Sequence, residues 1–512
     1  MECCTENAQG QFVLRMGKIK KVLIANRGEI ALRIIRTCRE KNIPTVAVYS
    51  DSDSTSPHVL AADESVYIGE SESSKSYLNT DKIVSAANST GANAIHPGYG
   101  FLSENGHFSA LCKEEGLIFI GPDSETIQLM GDKTTARSLA EKVGIPYPPG
   151  SKRELDHVSE GKEIAVSIGF PVLIKAAAGG GGKGMRIVHN VKDFEKAFNA
   201  AKSEAKNAFG DDRVFVEKYL EEPRHIEIQV FGDHFGNIVH IFERECSIQR
   251  RHQKVIEESP SAALDQDLRE KMGKAATKIA EACHYTGAGT VEFLVDKYRN
   301  FYFLEMNTRL QVEHPVTELI TGLDLVSLQI DVANGNPLPF RQNDLNIQGH
   351  AIECRIYAED PKNNFLPSTG KLHRHRIPSG PGVRVDSGIE EGQNVSIHYD
   401  PMISKLCVHA ADRQSAIQKM KRALLEYVIN GVETTIPFCL SVMENETFIM
   451  GTYDTHYVQN YFKPDTQSLK DDISLIALVS SVIKKGKMTE NQNETSVESM
   501  SSGEWWNKRN SV

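Results

Sequence analysis

The sequence predicts a multidomain α/β protein, and three observations carry that prediction. The chain has 512 residues, more than a single hydrophobic core organises, so about three domains are expected. It opens strand–helix–strand, the order of a parallel sheet with crossover helices. Farther along, a glycine run sits between two short apolar strands, and a second strand pair carries acidic residues where a core would want apolar ones.

Taken in order, residues 1–17 are polar, contain a second methionine at Met16, and are expected to be a disordered leader. Residues 18–130 read as an N-terminal Rossmann-like domain. Lys20 to Ala25 is a buried strand, Glu29 to Lys41 an amphipathic helix, and Thr45 to Tyr49 a second strand. The turn Asn26-Arg27-Gly28 lacks the glycine fingerprint of a dinucleotide site. Ala94-Ile-His-Pro-Gly-Tyr-Gly-Phe101 and Ile118-Phe-Ile-Gly-Pro122 read as strand ends followed by glycine-rich turns, where ligands collect in open α/β sheets.

Residues 131–219 read as a linker and a mobile lid, with the proline-rich break Ile145-Pro-Tyr-Pro-Pro-Gly150 inside the linker. A strand from Pro171 to Lys175 leads into Ala178-Gly-Gly-Gly-Gly-Lys-Gly184 and a strand from Met185 to Val188. The loop matches Gly-x-Gly-x-x-Gly formally, but a strand follows where a dinucleotide site demands a helix. Lys183 precedes Gly184 and no Ser or Thr follows the lysine, so it is not a Walker loop either. A hairpin tip whose backbone N–H groups close over phosphates fits better. Residues 220–463 form a mixed α/β domain, and 464–512 a helical, then disordered tail ending in Trp505-Trp506, the only tryptophans. No internal repeat is visible.

The chemistry is concentrated in Glu305-Met-Asn-Thr-Arg-Leu-Gln-Val-Glu-His-Pro-Val-Thr-Glu318. On a strand alternate side chains share a face, which would put Glu305, Asn307, Arg309, Gln311 and Glu313 on one surface and Met306, Leu310 and Val312 on the other. Gly289 to Val295 reads as the partner strand, placing Glu292 beside Glu305. Two carboxylates there repel by roughly 4 kcal/mol at about 4 Å and an effective dielectric near 20. A hard divalent cation removes that cost, and Mg²⁺ takes one or two carboxylates plus substrate phosphates. A third cluster, Glu243-Arg-Glu-Cys-Ser-Ile-Gln-Arg-Arg-His-Gln-Lys254, reads as an anion-binding wall beside the metal.

Composition excludes other classes. Forty per cent hydrophobic and 25% charged residues are ordinary for a soluble globular protein, and a net charge of −10 argues against nucleic acid as a partner. Nine scattered cysteines without a Cys-x-x-Cys pair suit reduced thiols. No apolar run reaches transmembrane length, and no secretory signal core is present, so a cytoplasmic protein without membrane contact is expected.

These residues carry a family resemblance. Strand, lid and strand with paired metal-binding glutamates resemble the three-domain ATP-grasp architecture. Ser247 to Lys254, Arg309 to Glu318, Glu353-Cys-Arg355, Ala25 to Ile30, His96 to Glu104 and Met130 to Lys133 resemble biotin carboxylase closely, over about Ile19 to Phe462. Ala178 departs from it, since many relatives have a further glycine there; four glycines remain. The resemblance implies ATP-dependent carboxylation, through carboxyphosphate, of biotin carried on another chain. It implies ATP ligands at Lys133, Lys175, Gly180, Gly181, Gly182, His225, Gln249 and His252, adenine contacts at Glu217, Lys218 and Leu220, and Mg²⁺ (or Mn²⁺) on Glu292, Glu305 and Asn307. Lys254, Arg309, Gln311 and the Val312 backbone would hold bicarbonate, with Glu313 as base, Arg355 facing biotin, and Tyr99 also at the substrate.

No biotin-attachment sequence is found, so a separate biotin carboxyl carrier protein and carboxyltransferase subunits are expected partners, with a homodimer of this chain. Glu359 to Gly370 and Tyr399 to Ile403 resemble acyl-CoA carboxylase α subunits, which points to acetyl-CoA or propionyl-CoA carboxylase, with the biotin-carboxylating chain of a two-subunit pyruvate carboxylase as the alternative. Two further classes stay open: a different ATP-grasp ligase, such as one making carbamoyl phosphate, and a non-catalytic nucleotide-sensing scaffold.

Overall fold

The structure is a computed structural model that describes residues 4–6, 12–14, 18–176 and 185–463; the expectations for the rest of the leader, for Gly180, Gly181 and Gly182, and for the tail beyond 463 lie outside the described residues. The opening strand–helix–strand forms as read, with small shifts: Val22–Ile24, Gly28–Glu40 and Thr45–Ser50. Val22–Ile24 is the centre of a five-stranded parallel sheet, flanked by Thr45–Ser50 and Glu64–Gly69 on one side and Ala94–His96 and Ile118–Phe119 on the other. Its central strands are buried on both faces, as parallel strands require.

At the carboxyl end of this sheet the two predicted turns are tied together. Asn26 Nδ2 donates to the carbonyls of Pro97 and Tyr99, at 2.7 and 2.8 Å. Gly98 has φ +63°, and a Cβ there would come within 2.9 Å of the Asn26 amide. Glycine is therefore needed both for the left-handed backbone and for the close approach.

A second sheet has three antiparallel strands in the order Val214–Lys218, Val172–Ala176, Arg186–Val188. Val172 faces Val188, the antiparallel hairpin the glycine loop implied. The third sheet has eight antiparallel strands, in the order Phe301–Asn307, Gly287–Val295, Arg224–Gly232, Ile238–Arg250, Gln253–Ser259, His350–Tyr357, Met402–Ala410, Val383–Ser387. Helix Gln266–Ala282 covers the face bearing Ile226, Ile228 and Val230. Phe231 and Ile241 join a core with Ile24, Ile30 and Ile34 of the parallel sheet and its first helix, and with Leu325 of helix Leu325–Ala333. The described residues up to 462 accordingly belong to one compact unit.

One expectation about local structure fails. The strand carrying Glu305 ends at Asn307, so Arg309, Gln311 and Glu313 do not alternate along it. The Thr308 N–H donates to Glu104 Oε1 at 3.0 Å instead of to a neighbouring strand. Helix His314–Thr321 then starts immediately after Glu313, because Pro315 lacks an N–H and has a φ suited to a first helical turn. Among the described residues no helix is long and apolar enough to cross a membrane. Cys38, Cys112, Cys246, Cys283, Cys354, Cys407 and Cys439 are buried and free.

Candidate active site

The three sheets meet around a cavity of about 1510 Å³. Every described residue in the sequence-derived set lines it. Lys175, Glu217 and Lys218 come from the three-stranded sheet, with Lys133 and Leu220 nearby. His225, Gln249, Lys254, Glu292, Glu305, Asn307 and Arg355 come from the eight-stranded sheet. His252 lies at its exposed hairpin turn, Arg309, Gln311, Val312 and Glu313 come from the loop before the helix, and Tyr99 from the turn above the parallel sheet. The loop replaces the continuous strand yet delivers the same side chains to the same place.

Glu313 is the centre of one end. It is fully buried; Lys254 Nζ donates to its Oε1 at 2.7 Å and Arg355 Nη2 to its Oε2 at 2.8 Å. Burial alone would raise its pKa, but Lys254, Arg355 and Arg244 together hold it well below the usual carboxylate range. Lys254 also donates to Glu227 and, at 2.9 Å, to Glu292 Oε1. Burial opposes its charge, yet these three carboxylates push the ammonium well above its ordinary value. Arg309 is braced by Glu104 at 2.8 Å, Gln311 Oε1 at 2.9 Å and Asn307 Oδ1 at 3.2 Å. The Val312 carbonyl accepts from the fully buried Lys405 at 2.8 Å, and Lys405 lies 3.2 Å from Glu29, which also accepts from the Tyr99 hydroxyl.

Glu292 and Glu305 stand directly opposite each other on paired strands. Glu292 Oε1 accepts from Asn307 Nδ2 at 2.8 Å and Gln311 Nε2 at 3.2 Å, and its Oε2 lies 2.8 Å from His225 Nε2. Burial, offset by Lys254 and His225, leaves Glu292 strongly acidic, whereas burial and repulsion from Glu292 raise Glu305. Ligand atoms of His225, Glu227 and Glu292 fall within 4.8 Å of one another. The repelling carboxylates Glu292 and Glu305 are donors that fit a hard divalent cation, whereas Asn307 turns its amide nitrogen to Glu292 and its oxygen to Arg309.

At the other end Lys175 lies 2.7 Å from Glu217, which Arg137 also binds. Burial lowers the Lys175 pKa despite Glu217, and Lys175 and Arg137 outweigh burial to lower that of Glu217. Lys218 Nζ donates to the carbonyls of Gly169 and Phe170, at 3.1 and 3.0 Å. Gln249 Nε2 meets His225 Nδ1 at 2.7 Å.

The basic cluster 243–254 divides, contrary to its reading as one wall. Residues 249–254 line the cavity, but Arg244 is fully buried within the sheet, bonded to Glu227, Gln229, Thr290 and Thr317. Arg250 is tied to Glu359 at 2.5 Å. Residue spacing could not separate them, because a guanidinium that satisfies a sheet interior looks the same in sequence as one that awaits an anion. Sequence reasoning also missed Glu227, Glu104, Glu257 and Lys405. Glu227 had a signal, the alternation His225-x-Glu227-x-Gln229; Lys405 had none, since it reaches Val312 across 93 residues.

Family profiles described as "Biotin carboxylase, N-terminal domain", "Carbamoyl-phosphate synthase L chain, ATP binding domain" and "Biotin carboxylase C-terminal domain" match residues 18–127, 132–341 and 353–460. The chain is 53% identical to a biotin carboxylase of Nostoc sp. over 446 residues, 87% of this chain and 100% of that one. It is 54% identical to a pyruvate carboxylase subunit of Methanothermobacter thermautotrophicus over 441 residues, 86% of this chain and 90% of that one. Among solved structures, the biotin carboxylase domain dimer of Hydrogenobacter thermophilus 2-oxoglutarate carboxylase, in complex with MgADP, ADP and bicarbonate, superposes with a TM-score of 0.83 at 47% identity, over 87% of this chain and 98% of that one.

Proposed function

The chain belongs to the biotin carboxylase family of ATP-dependent ligases, and from that premise we propose that it carboxylates the biotin of a separate carrier protein as a subunit of an acetyl-CoA or propionyl-CoA carboxylase. ATP, Mg²⁺ and bicarbonate are the reactants and cofactor this chemistry uses. The observation that carries the residue assignment is Glu313 held between Lys254 and Arg355 at one end of a cavity whose middle carries Glu292 and Glu305.

In this reading Lys254, Arg309, Gln311 and the Val312 backbone hold bicarbonate, a poor nucleophile. Glu313 accepts the bicarbonate hydroxyl proton while a bicarbonate oxygen bonds to the γ-phosphorus and the bond to ADP breaks, leaving carboxyphosphate. Glu292 and Glu305, with Asn307, would hold Mg²⁺ (or Mn²⁺), which neutralises charge on the polyphosphate. Lys133, Lys175 and His225 face the phosphates, Glu217, Lys218 and Leu220 the adenine, and Gln249 and His252 complete the nucleotide set. Carboxyphosphate breaks down to CO₂ and phosphate, the phosphate takes the N1 proton of biotin, and N1 attacks CO₂. Arg355, a permanent planar cation, stabilises the biotin enolate, with Tyr99 at the same mouth.

The similarity to a pyruvate carboxylase subunit favours a second holoenzyme, in which the same half-reaction serves pyruvate. A non-catalytic scaffold would be expected to lack a metal or base residue, and Glu292, Glu305, Asn307 and Glu313 are all present in the cavity. A homodimer is part of the proposal, supported by the dimeric relative. A reducing compartment such as the cytoplasm suits the buried free thiols. The test is ADP release by purified protein with Mg-ATP and bicarbonate, with and without free biotin and then a biotinylated carrier. Stimulation that needs bicarbonate supports the assignment; ATP binding without stimulation by either form of biotin refutes it. Reconstitution with carboxyltransferases for acetyl-CoA, propionyl-CoA or pyruvate separates the holoenzymes.

A further inference from the structure

Arg355 serves two carboxylates, and only one of them has a place in the reaction above. Its Nη2 donates to Glu313 Oε2 at 2.8 Å, and its Nε donates to Glu257 Oε1 at 2.6 Å. Glu257 is on strand Gln253–Ser259 and stands directly across from Glu353 on strand His350–Tyr357. Neither is accessible to solvent. Glu257 Oε2 and Glu353 Oε1 have no hydrogen-bond partner, while Glu353 Oε2 accepts from the Cys407 thiol at 3.2 Å.

Two facing carboxylates in a dry sheet do not both ionise readily. The charged groups acting on Glu257 are Lys254 on its own strand, Arg355 and Glu353 on the next, Glu313 before its helix, and Glu227 on strand Arg224–Gly232; Lys405 acts on Glu353. Burial, opposed by Arg355 and aided by Glu313, pushes Glu257 up to about 7. A carboxyl group with a spare oxygen is thus fixed to the back of the guanidinium whose front grips the base.

We propose that Glu257 is a positioning residue for the carboxylation reaction, dividing the Arg355 guanidinium with Glu313 so that the base can accept the bicarbonate proton. This rests on the reading of Glu313 as base and Arg355 as the cation facing biotin. Without Glu257 the guanidinium would close wholly on Glu313 and oppose protonation of it. With Glu257 present, Arg355 keeps a counter-ion after Glu313 is neutralised, and a buried unpaired cation is avoided. The proton passes from bicarbonate to Glu313; Glu257 neither donates nor receives one in that step.

The test compares wild type, Glu257→Gln and Glu257→Asp by bicarbonate-dependent ADP release across the neutral pH range, alongside ATP affinity and melting temperature. For Glu257→Gln, kcat should fall about 10- to 100-fold, the loss typical of a residue acting through a catalytic neighbour. The KM for ATP should stay within about twofold. Glu257, pushed up to about 7, acts as counter-ion only when ionised, so the wild-type rate should fall as pH drops through that value, and this limb should vanish in Glu257→Gln, whose amide cannot ionise. Glu257→Asp keeps an ionisable carboxyl but draws it back from Arg355, so part of the rate should return and a limb should reappear at a shifted pH. That milder variant carries the test if the glutamine form does not fold. An unchanged rate, or a loss with the limb unchanged in either variant, overturns the inference and leaves Glu257 a purely structural residue. An inactive wild type instead overturns the proposed function itself, and this inference with it.

Discussion

Both oxygens of Glu313 are engaged, by Lys254 at 2.7 Å and by Arg355 at 2.8 Å, so the proposed base works only as its cations turn to substrate. Glu313→Gln should lower kcat by about 10²–10⁴ with ATP affinity unchanged by direct binding measurement; a near-wild-type rate would refute the assignment. Arg355→Ala should abolish biotin carboxylation and leave some bicarbonate-dependent ATP hydrolysis, read as ADP release without carboxybiotin. Loss of both together would make Arg355 structural. At this scale the sequence was a good guide to which side chains line the cavity, because runs such as Arg309-x-Gln-Val-Glu313 have no structural reason to carry so much polarity. It was silent on partners such as Glu104, Glu257 and Lys405, which approach from distant segments.

Among the elements, the hairpin of Gly287–Val295 with Phe301–Asn307 was legible: period-two patterning placed Glu292 opposite Glu305, and the register agrees. The end of the second strand was not. Its polar alternation continues past Asn307, but a proline-led helix and the Glu104 carboxylate redirect the backbone. Arg244 shows the opposite failure, a charge that looked functional and instead links strands Arg224–Gly232 and Gly287–Val295 to helix His314–Thr321. Arg244→Leu should leave Glu227 with Lys254 alone, strip Gln229, Thr290 and Thr317 of their shared donor, and cost about 3–5 kcal/mol, measured by urea unfolding. A loss below about 1 kcal/mol would show that the network is dispensable.

For the molecule as a whole, long-range buried ion pairs couple stability to pH. Glu258 accepts from His350 at 2.7 Å, from Arg413 at 2.7 and 3.0 Å, and from the Tyr453 hydroxyl. Burial would raise its pKa, but His350 and Arg413 bring it from the ordinary 4.5 down to about 2. A carboxylate whose folded pKa is depressed stabilises fully above its unfolded value and loses that contribution as pH falls through the folded value. At about 1.4 kcal/mol per pH unit, the contribution is about 3 kcal/mol, lost between roughly pH 4.5 and 2. Glu258→Gln should be less stable at neutral pH, and its unfolding free energy should fall less steeply than that of wild type through that window. Parallel curves would mean that Glu258 is not responsible.

What the sequence by itself determined is whatever is written in short spans. Hydrophobic periodicity gave away the parallel strand–helix–strand start, glycine between apolar strands the hairpin, and polar density the side chains around the cavity. Those signals are local because backbone sterics and side-chain alternation act within a few residues. The tertiary structure alone decided which cations remain facing the cavity and which are consumed by the fold, and which second carboxylate each one meets. Arg244 and Arg250 share strand Ile238–Arg250, and Arg355 lies two strands away on His350–Tyr357, yet one is sealed in the sheet, one is tied to Glu359 and one grips Glu313. Their fates depend on pairing across up to 109 residues, set by strand order and burial, and no local pattern encodes that choice.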